Sequence, residues 1–166
     1  MARIEKFFGG FDKINVTASV GENGVNLKDD VMVVQAMLKY SMKEHPYFRR
    51  FKFPEPTGTI DEETKLLIKG YQRFLRKKDN VIVQIDGIID RAIGEKPFGR
   101  RGLWTILHLN THVLQWRLLN GGQSNEFEDL CRTYPQLWAV LEDVPVGTLG
   151  LSLEPSGTGT LNLGLE

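Results

Sequence analysis

The segment from residue 56 to residue 77 constrains the fold most strongly, because apolar side chains recur through it at helical spacing. Such a stripe buries one face of a helix against a core. Thr59 and Glu62 fit a capping box at its start, and the basic residues at its end complement the helix dipole. The segment contains no evident catalytic group, so it predicts a scaffold helix. The stripe consists of Ile60, Thr64, Leu67, Ile68, Tyr71, Phe74 and Leu75.

Two other long segments carry the same signal. Residues 31–43 place apolar side chains on one stripe, and Asp29 or Asp30 is positioned to cap the helix that they predict. Residues 103–118 form another stripe, which the pair Asn120-Gly121 brings to a stop. These segments indicate a helical core.

After residue 120 the sequence predicts shorter elements than before it. Ser124 is a candidate cap for a short helix, and Pro135 begins a second one. Among the last 21 residues, two stretches have leucine at every second position, and a turn-forming segment joins them. This alternation is typical of β-strands. Two such strands are unstable alone in water, so they pack on this domain or pair with a partner's sheet edge, and a flexible tail is the alternative. The predicted partner-binding residues are Leu149, Leu151, Leu153, Leu161, Leu163 and Leu165.

Composition and charge exclude some functions. A hydrophobic fraction of 41% supports a core, and the balance of 21 basic against 21 acidic residues argues against a nucleic-acid binder. The charge is uneven, however: residues 39–101 carry 15 Lys and Arg against 9 Asp and Glu, whereas residues 102–166 carry 2 against 7. This pattern indicates either two solvated surfaces or a basic middle segment that binds an anionic ligand.

The N-terminus carries charges where a signal peptide needs an apolar run, and no stretch is long and apolar enough to span a bilayer. We therefore expect cytoplasmic synthesis without a cleavable signal. The product then stays in the cytoplasm or leaves by another route, as part of an exported or assembled injection particle. The single cysteine, Cys131, excludes an internal disulfide and is expected to be a buried structural thiol.

Catalytic and metal signals are weak. His108 and His112 have the spacing of zinc ligands on a helix, but Leu109 stands where a zinc protease needs its glutamate. The chain has no Gly-x-Ser-x-Gly nucleophile motif and no Gly-rich phosphate loop. We therefore expect no enzyme activity, no metal and no cofactor.

An ordered series of short motifs resembles the peptidoglycan-binding-domain-like family, small three-helix modules often attached to cell-wall hydrolases. The lead-in "SVGENGVNLKDD" is similar to versions found near secretion-system and phage-tail-like genes. The resemblance covers about residues 19–110. The residues that carry it are Asp30, Val31, Val34, Gln35, Leu38, Gly58, Ile60, Asp61, Thr64, Tyr71, Gln72, Asp86, Gly87 and Ile88.

The residues of these motifs suit a scaffold. Gln35 and Gln72 are placed to tie loop backbone groups that would otherwise be unsatisfied. Gly58 and Gly87 suit turns that need a positive φ. Asp61 suits a hydrogen bond at the start of the helix, which it is expected to cap together with Thr59. These roles are structural rather than ligand-binding.

The resemblance implies a mainly α fold with a three-helix core, additional C-terminal helices and a short β-like tail, either a hairpin or a donated strand. We divide the chain into an N-terminal arm (1–18), the peptidoglycan-binding-like domain (19–120), additional helices (121–145) and the tail (146–166).

Two insertions relative to the family, at residues 44–56 and 91–101, lie where binding loops are expected. The first contains "HPYFRRFKF", whose aromatic and basic residues suit a cell-wall polymer, a protein interface or a plain structural loop. Trp104 corresponds to a tryptophan of the family. The predicted ligand-binding residues are Tyr47, Phe48, Arg49, Arg50, Tyr71, Arg100 and Trp104.

Two functions follow as hypotheses. The first is a non-catalytic module that binds peptidoglycan near the two long loops. The alternative is a structural or adaptor component of a phage-tail-like contractile injection or secretion assembly, with the tail pairing to a partner protein. No nucleic-acid partner and no membrane span are expected in either case.

Overall fold

The computed structural model describes residues 1–7, 9–94, 104–122 and 124–144. Within these ranges the chain forms four α-helices, two 3-10 helices and five short strands. The helices are α1 (Lys28–Met42), α2 (Glu62–Lys77), α3 (Thr105–Leu119) and α4 (Glu126–Thr133), with 3-10 helices at Pro46–Phe48 and Pro135–Ala139. The strands are β1 (Ala2–Phe7), β2 (Phe11–Asn15), β3 (Val20–Gly21), β4 (Ile88–Ile89) and β5 (Leu141–Glu142).

The prediction of a mainly α fold is wrong. Of the described residues, 47% are helical and 13% lie in strands, so the fold is mixed α/β. Three strands form one sheet in the order β2-β1-β5, and β3 pairs with β4 in a second sheet. Most of the strand content lies within residues 1–18, which we had predicted to be an arm.

The N-terminal hairpin escaped prediction because its strands are short and rich in charge. β1 and β2 pair antiparallel, with Phe7 opposite Phe11 beside the turn at Gly9-Gly10. Phe7 and Ile14 are buried in the core that the helices share. β5 then pairs in parallel with β1 from the other end of the described chain. Such long-range pairing leaves no local pattern in the sequence.

Asn110 on α3 fastens the hairpin to the helices. Its side-chain oxygen accepts a hydrogen bond from Ile14 N at 2.8 Å, and its amide nitrogen donates to Ile14 O at 2.9 Å. Because β2 is an edge strand, these bonds satisfy backbone groups that have no neighbouring strand. The helix α1 lies at the centre of the core, with residues 30–38 all buried.

Gln35 on α1 holds the turn that precedes α2. Its side-chain oxygen accepts hydrogen bonds from Thr57 N at 3.1 Å and Gly58 N at 3.0 Å. Its amide nitrogen donates to Thr59 O and to Thr64 Oγ1, both at 2.9 Å. The predicted role of this glutamine is confirmed.

Gln72 on α2 holds the turn that precedes β4 in the same way. Its oxygen accepts from Gly87 N at 2.8 Å, and its amide donates to Asp86 Oδ1 and to Ile88 O, both at 2.9 Å. Gly58 and Gly87 have φ values of 79° and 77°, which confirms the predicted turn conformations.

The predicted helix caps are partly wrong. The helix α2 begins after Asp61, whose carboxylate accepts from Thr64 N at 2.7 Å, which confirms the predicted cap at Asp61. Thr59 lies outside the helix and forms no capping box. The start of α1 has no side-chain cap. Asp30 instead accepts hydrogen bonds from the backbone of Thr17 and Ala18, which ties the preceding segment to the helix.

The cap of α4 also differs from the predicted one. Asn125 rather than Ser124 is its cap, and its side chain accepts from Glu128 N at 2.8 Å. The Ser124 hydroxyl donates to Asp129 instead. Pro135 begins the second short segment as predicted, and that segment is a 3-10 helix.

None of the helices in the described part of the chain is long and apolar enough to cross a membrane. The predicted leucine strands of the tail, residues 146–166, lie outside the described residues.

Candidate binding site

The insertion between α1 and α2 turns its phenylalanines inward. Phe48 is 1% exposed, and its ring centroid lies 5.3 Å from that of Phe51, 6.2 Å from Phe53 and 5.4 Å from Phe74 on α2. The ring of Phe51 also packs so closely on Gly70 of α2 that a side chain there would overlap it. The three phenylalanines of the insertion therefore anchor it to the core.

The predicted basic residues of the insertion lie on the surface. Arg49 and Arg50 are exposed and form no ion pair with any residue that the structure describes. Lys52 pairs with Glu63 at 2.9 Å. Arg49 and Arg50 thus remain available to an anionic partner.

A surface pocket of 420 Å³ lies between the start of the insertion and the end of α2. Tyr47 is half-buried in its wall, with its ring centroid 5.0 Å from that of Phe48 and 5.3 Å from that of Phe74. Lys78 and Asp79 are exposed at its edge. We call it the Tyr47 pocket. It is lined by His45, Pro46, Tyr47, Phe74, Lys78 and Asp79.

Behind this pocket a chain of hydrogen bonds leads from the core to the surface. The hydroxyl of Tyr71 lies 2.7 Å from Nδ1 of His112, and Nε2 of His112 lies 3.0 Å from Oδ2 of Asp79. A carboxylate only accepts, so the neutral imidazole carries its proton on Nε2 and accepts the Tyr71 hydroxyl at Nδ1. Burial raises the pKa of Tyr71 well above 10, which keeps the hydroxyl a donor.

Burial also lowers the pKa of His112 below its ordinary value of 6.5, and the Asp79 carboxylate offsets part of that shift. The side chain of His112 is 13% exposed, whereas that of Asp79 is 36% exposed. His112 therefore fixes one oxygen of a carboxylate that reaches solvent at the pocket.

The three histidines of the chain lie in one region. The ring centroid of His45 is 4.9 Å from that of Phe74, and the ring centroid of His112 is 5.6 Å from that of Phe74. His108 lies one helical turn before His112, and burial lowers its pKa. No group of three His, Cys, Asp or Glu residues suited to a metal ion occurs in the described ranges.

The remaining predicted site residues are dispersed. Tyr71 is fully buried, and it lies behind the pocket, where its hydroxyl contacts His112 and its ring stacks on Phe74. Trp104, at the start of α3, is half-buried, and its Nε1 is buried without a hydrogen-bond partner among the described residues. Arg100 and the leucines from 149 to 165 lie outside the described residues. Cys131 is buried, and burial raises the pKa of its thiol to about 11.

A second surface pocket, of 340 Å³, lies between α3 and α4, and its charged side chains form ion pairs within the protein. Its two arginines each pair with a carboxylate of α4: Arg117 Nε lies 3.3 Å from Asp129 Oδ2, and Arg132 pairs with Glu128. Each charged side chain described in the lining of this pocket therefore has an ion-pair partner, whereas Lys78 at the Tyr47 pocket has none among the described residues.

Sequence reasoning identified Tyr47 but missed the rest of the pocket lining. His45, Phe74 and Asp79 come from two elements, and the "RKKDN" that contains Asp79 resembles an ordinary helix end. The spacing of His108 and His112 placed both on one helix face, but nothing in it indicated Asp79 as a partner.

No family model matches the sequence, and no curated protein or solved structure matches it either. A function is therefore inferred from the side chains of the Tyr47 pocket together with the resemblance of the helical motifs.

Proposed function

We propose that this protein is a non-catalytic binding module that recognises bacterial cell-wall polymer at the Tyr47 pocket. The observation that carries the proposal is a half-buried aromatic ring flanked by an exposed cation and an exposed carboxylate, from Tyr47, Lys78 and Asp79. Concave sites that combine an apolar wall with a few polar groups are typical of ligand binding. Aromatic faces pack on sugar rings, and the charged groups suit the peptides of the polymer.

The helical motifs support this function by resemblance. Gln35 and Gln72, which belong to the motifs that carry the resemblance to peptidoglycan-binding-like modules, each hold a turn as expected for buried amides. This support concerns the scaffold, and fold alone does not specify a ligand. Arg49 and Arg50 add exposed positive charge on the same insertion as Tyr47, which suits an anionic polymer.

The direction of the hydrogen-bond chain favours binding over catalysis. In a nucleophilic triad the carboxylate is the inner member, and the nucleophile faces the substrate. Here the order is reversed, because the Tyr71 hydroxyl is fully buried and the Asp79 carboxylate faces solvent. Cys131 is buried with a raised pKa, which makes it a poor nucleophile.

The test is co-sedimentation of the purified protein with cell-wall sacculi at low salt. We expect the wild type to sediment with the sacculi and Tyr47→Ala to remain largely in the supernatant. The matched control is Phe11→Ala, which removes an exposed aromatic ring from the hairpin and is expected to bind like the wild type. A folded wild-type protein that stays in solution would refute the proposal.

A structural or adaptor role in a phage-tail-like contractile injection or secretion assembly is the second candidate. It is favoured by the C-terminal end of α3, where Leu118 is 64% and Leu119 is 83% exposed. Adjacent exposed leucines on a helix suit a protein interface. Under this proposal the leucine-alternating tail supplies further contacts to the partner.

This candidate predicts that the protein co-purifies with the tube or sheath proteins of such an assembly. Deletion of residues 146–166 should abolish that association while the remaining domain stays folded. The double variant Leu118→Ser, Leu119→Ser should weaken it, whereas Tyr47→Ala should leave it unchanged. Normal assembly by the deletion variant would argue against a role for the tail.

A further inference from the structure

We propose that the group recognised in the Tyr47 pocket is zwitterionic, with an ammonium and a carboxylate close together, as at the free end of an amino-acid side chain in a cell-wall peptide. This inference rests on the proposed binding function and specifies its ligand class. It is argued from Asp79, Lys78 and the two aromatic rings between them and the core.

Asp79 supplies a carboxylate of fixed orientation. His112 holds Oδ2 at 3.0 Å, and no other ion pair to Asp79 occurs in the part of the chain that the structure describes. Its second oxygen is therefore available at the pocket edge, where an ammonium is the complementary donor. Because the imidazole is itself held by Tyr71, the carboxylate is positioned before any ligand arrives.

Lys78 supplies the opposite charge from the neighbouring position in the chain. Its ammonium has no ion-pair partner among the described residues, although it lines the same pocket as Asp79. A lysine side chain is long and mobile, so it reaches a ligand carboxylate beside the ammonium that Asp79 binds. The two residues together match a group whose net charge is zero.

The aromatic wall of the pocket suits the carbon chain that joins the ammonium and the carboxylate of the ligand. Tyr47 and Phe74 lie with ring centroids 5.3 Å apart and present a tilted apolar surface. Such a surface packs on methylene groups, and an ammonium near a ring face gains a cation–π contribution.

Ligands of other charge fit less well. A phosphate or sulfate would be opposed by the Asp79 carboxylate, whose one ion-pair or hydrogen-bond partner among the described residues is the neutral imidazole of His112. A neutral sugar ring would pack on Tyr47 but leave the Lys78 ammonium and the second oxygen of Asp79 without an oppositely charged ligand group, at a cost in desolvation. A zwitterion satisfies the carboxylate and the ammonium at once.

The experiment measures binding of three soluble probes by calorimetry. The first is a muropeptide whose peptide carries diaminopimelic acid with its distal ammonium and carboxylate both free. In the second probe that amine is acetylated, and in the third that carboxylate is amidated. We expect each modification to weaken binding about tenfold or more, the loss of one charge-assisted hydrogen bond.

Two variants assign the charges to residues. Asp79→Asn should bind the acetylated probe as well as the unmodified one, and Lys78→Gln should bind the amidated probe as well as the unmodified one. Matched controls are Asp90→Asn and Lys77→Gln, which change exposed charges of the same type outside the pocket lining. Both controls should discriminate among the probes like the wild type.

The outcomes separate this inference from the proposed function. If the protein sediments with sacculi but binds all three probes equally or none of them, the zwitterion is refuted and polymer binding stands. If it fails to sediment with sacculi and binds no probe, both are refuted. If the probes discriminate as expected but the variants do not lose that discrimination, the assignment to Lys78 and Asp79 is overturned.

Discussion

Gln35 and His112 are polar side chains that each bridge separate elements, but Gln35 is fully buried whereas the side chain of His112 is 13% exposed. Gln35 has four hydrogen-bond partners, two of them backbone amides of the turn that precedes α2. His112 has two side-chain partners, and one of them is a carboxylate that reaches solvent at the Tyr47 pocket. An amide does not titrate and an imidazole does. The comparison separates a fixed scaffold contact from a contact that positions a surface group and responds to pH.

The largest expected effect is the loss of the Gln35 contact. Gln35→Leu leaves the amide of Gly58 buried without an acceptor and removes the donor to Thr59 O and Thr64 Oγ1, whereas the amide of Thr57 keeps the carbonyl of Glu55 as its acceptor. We therefore expect the free energy of unfolding to fall by about 3 kcal/mol. Urea unfolding followed by circular dichroism measures it. Gln115→Leu, which changes an exposed glutamine on α3, is the control and should shift the value by less than about 0.5 kcal/mol. Equal values for the two variants would contradict the scaffold role.

A smaller effect is expected at Gly58, whose amide donates to Gln35. Gly58→Ala places a side chain at a φ of 79°, where it also overlaps the carbonyl of Lys28. The control is Gly9→Ala, which has a similar φ of 75° but open space around it. We expect losses of about 2 kcal/mol at Gly58 and about 1 kcal/mol at Gly9 in the same unfolding measurement. A loss at Gly9 equal to that at Gly58 would show that the close approach to Lys28 costs nothing.

These two classes of contact also differ in how far the sequence predicts them. Gln35 could be predicted because a buried amide on a helix needs partners, and the next turn along the chain, 22 to 29 residues away, supplies backbone groups for it. His45 and Asp79 line the pocket from separate segments, and His112 on α3 contacts Asp79 from behind it, so no local sequence pattern predicts that these three residues lie together. The N-terminal hairpin was missed for the same reason, since its burial comes from Asn110 and the helices rather than from its own alternation.

The pH dependence tests the His112 side of the comparison. Burial lowers the pKa of His112 in the folded state below 6.5, so the unfolded chain takes up the proton first as the pH falls. The stability that the neutral imidazole contributes is complete above about pH 6.5 and is lost progressively below it. The groups facing it are Tyr71, Asp79, His45 and His108.

We therefore expect the free energy of unfolding of the wild type to fall more than that of His112→Gln between about pH 7.5 and about pH 5.5, by up to about 1 kcal/mol. The measurement is urea unfolding at both pH values. Gln35→Leu serves as the reference, because an amide does not titrate, and its pH dependence should match that of the wild type. Identical pH profiles for the wild type and His112→Gln would contradict the role of His112.

The smallest effect on stability is expected at Asp79, the outer end of the same hydrogen-bond chain. Asp79→Asn keeps a polar group at the pocket but removes the charge, and a partly exposed pair of this kind contributes at most about 1 kcal/mol. Because the carboxylate raises the pKa of His112 against the effect of burial, that pKa should fall further in the variant. A titration of the imidazole signals by NMR measures the change, with Asp90→Asn as the control. An unchanged His112 pKa would mean that Asp79 does not interact with the imidazole in solution, and the positioned carboxylate of the pocket would have to be abandoned.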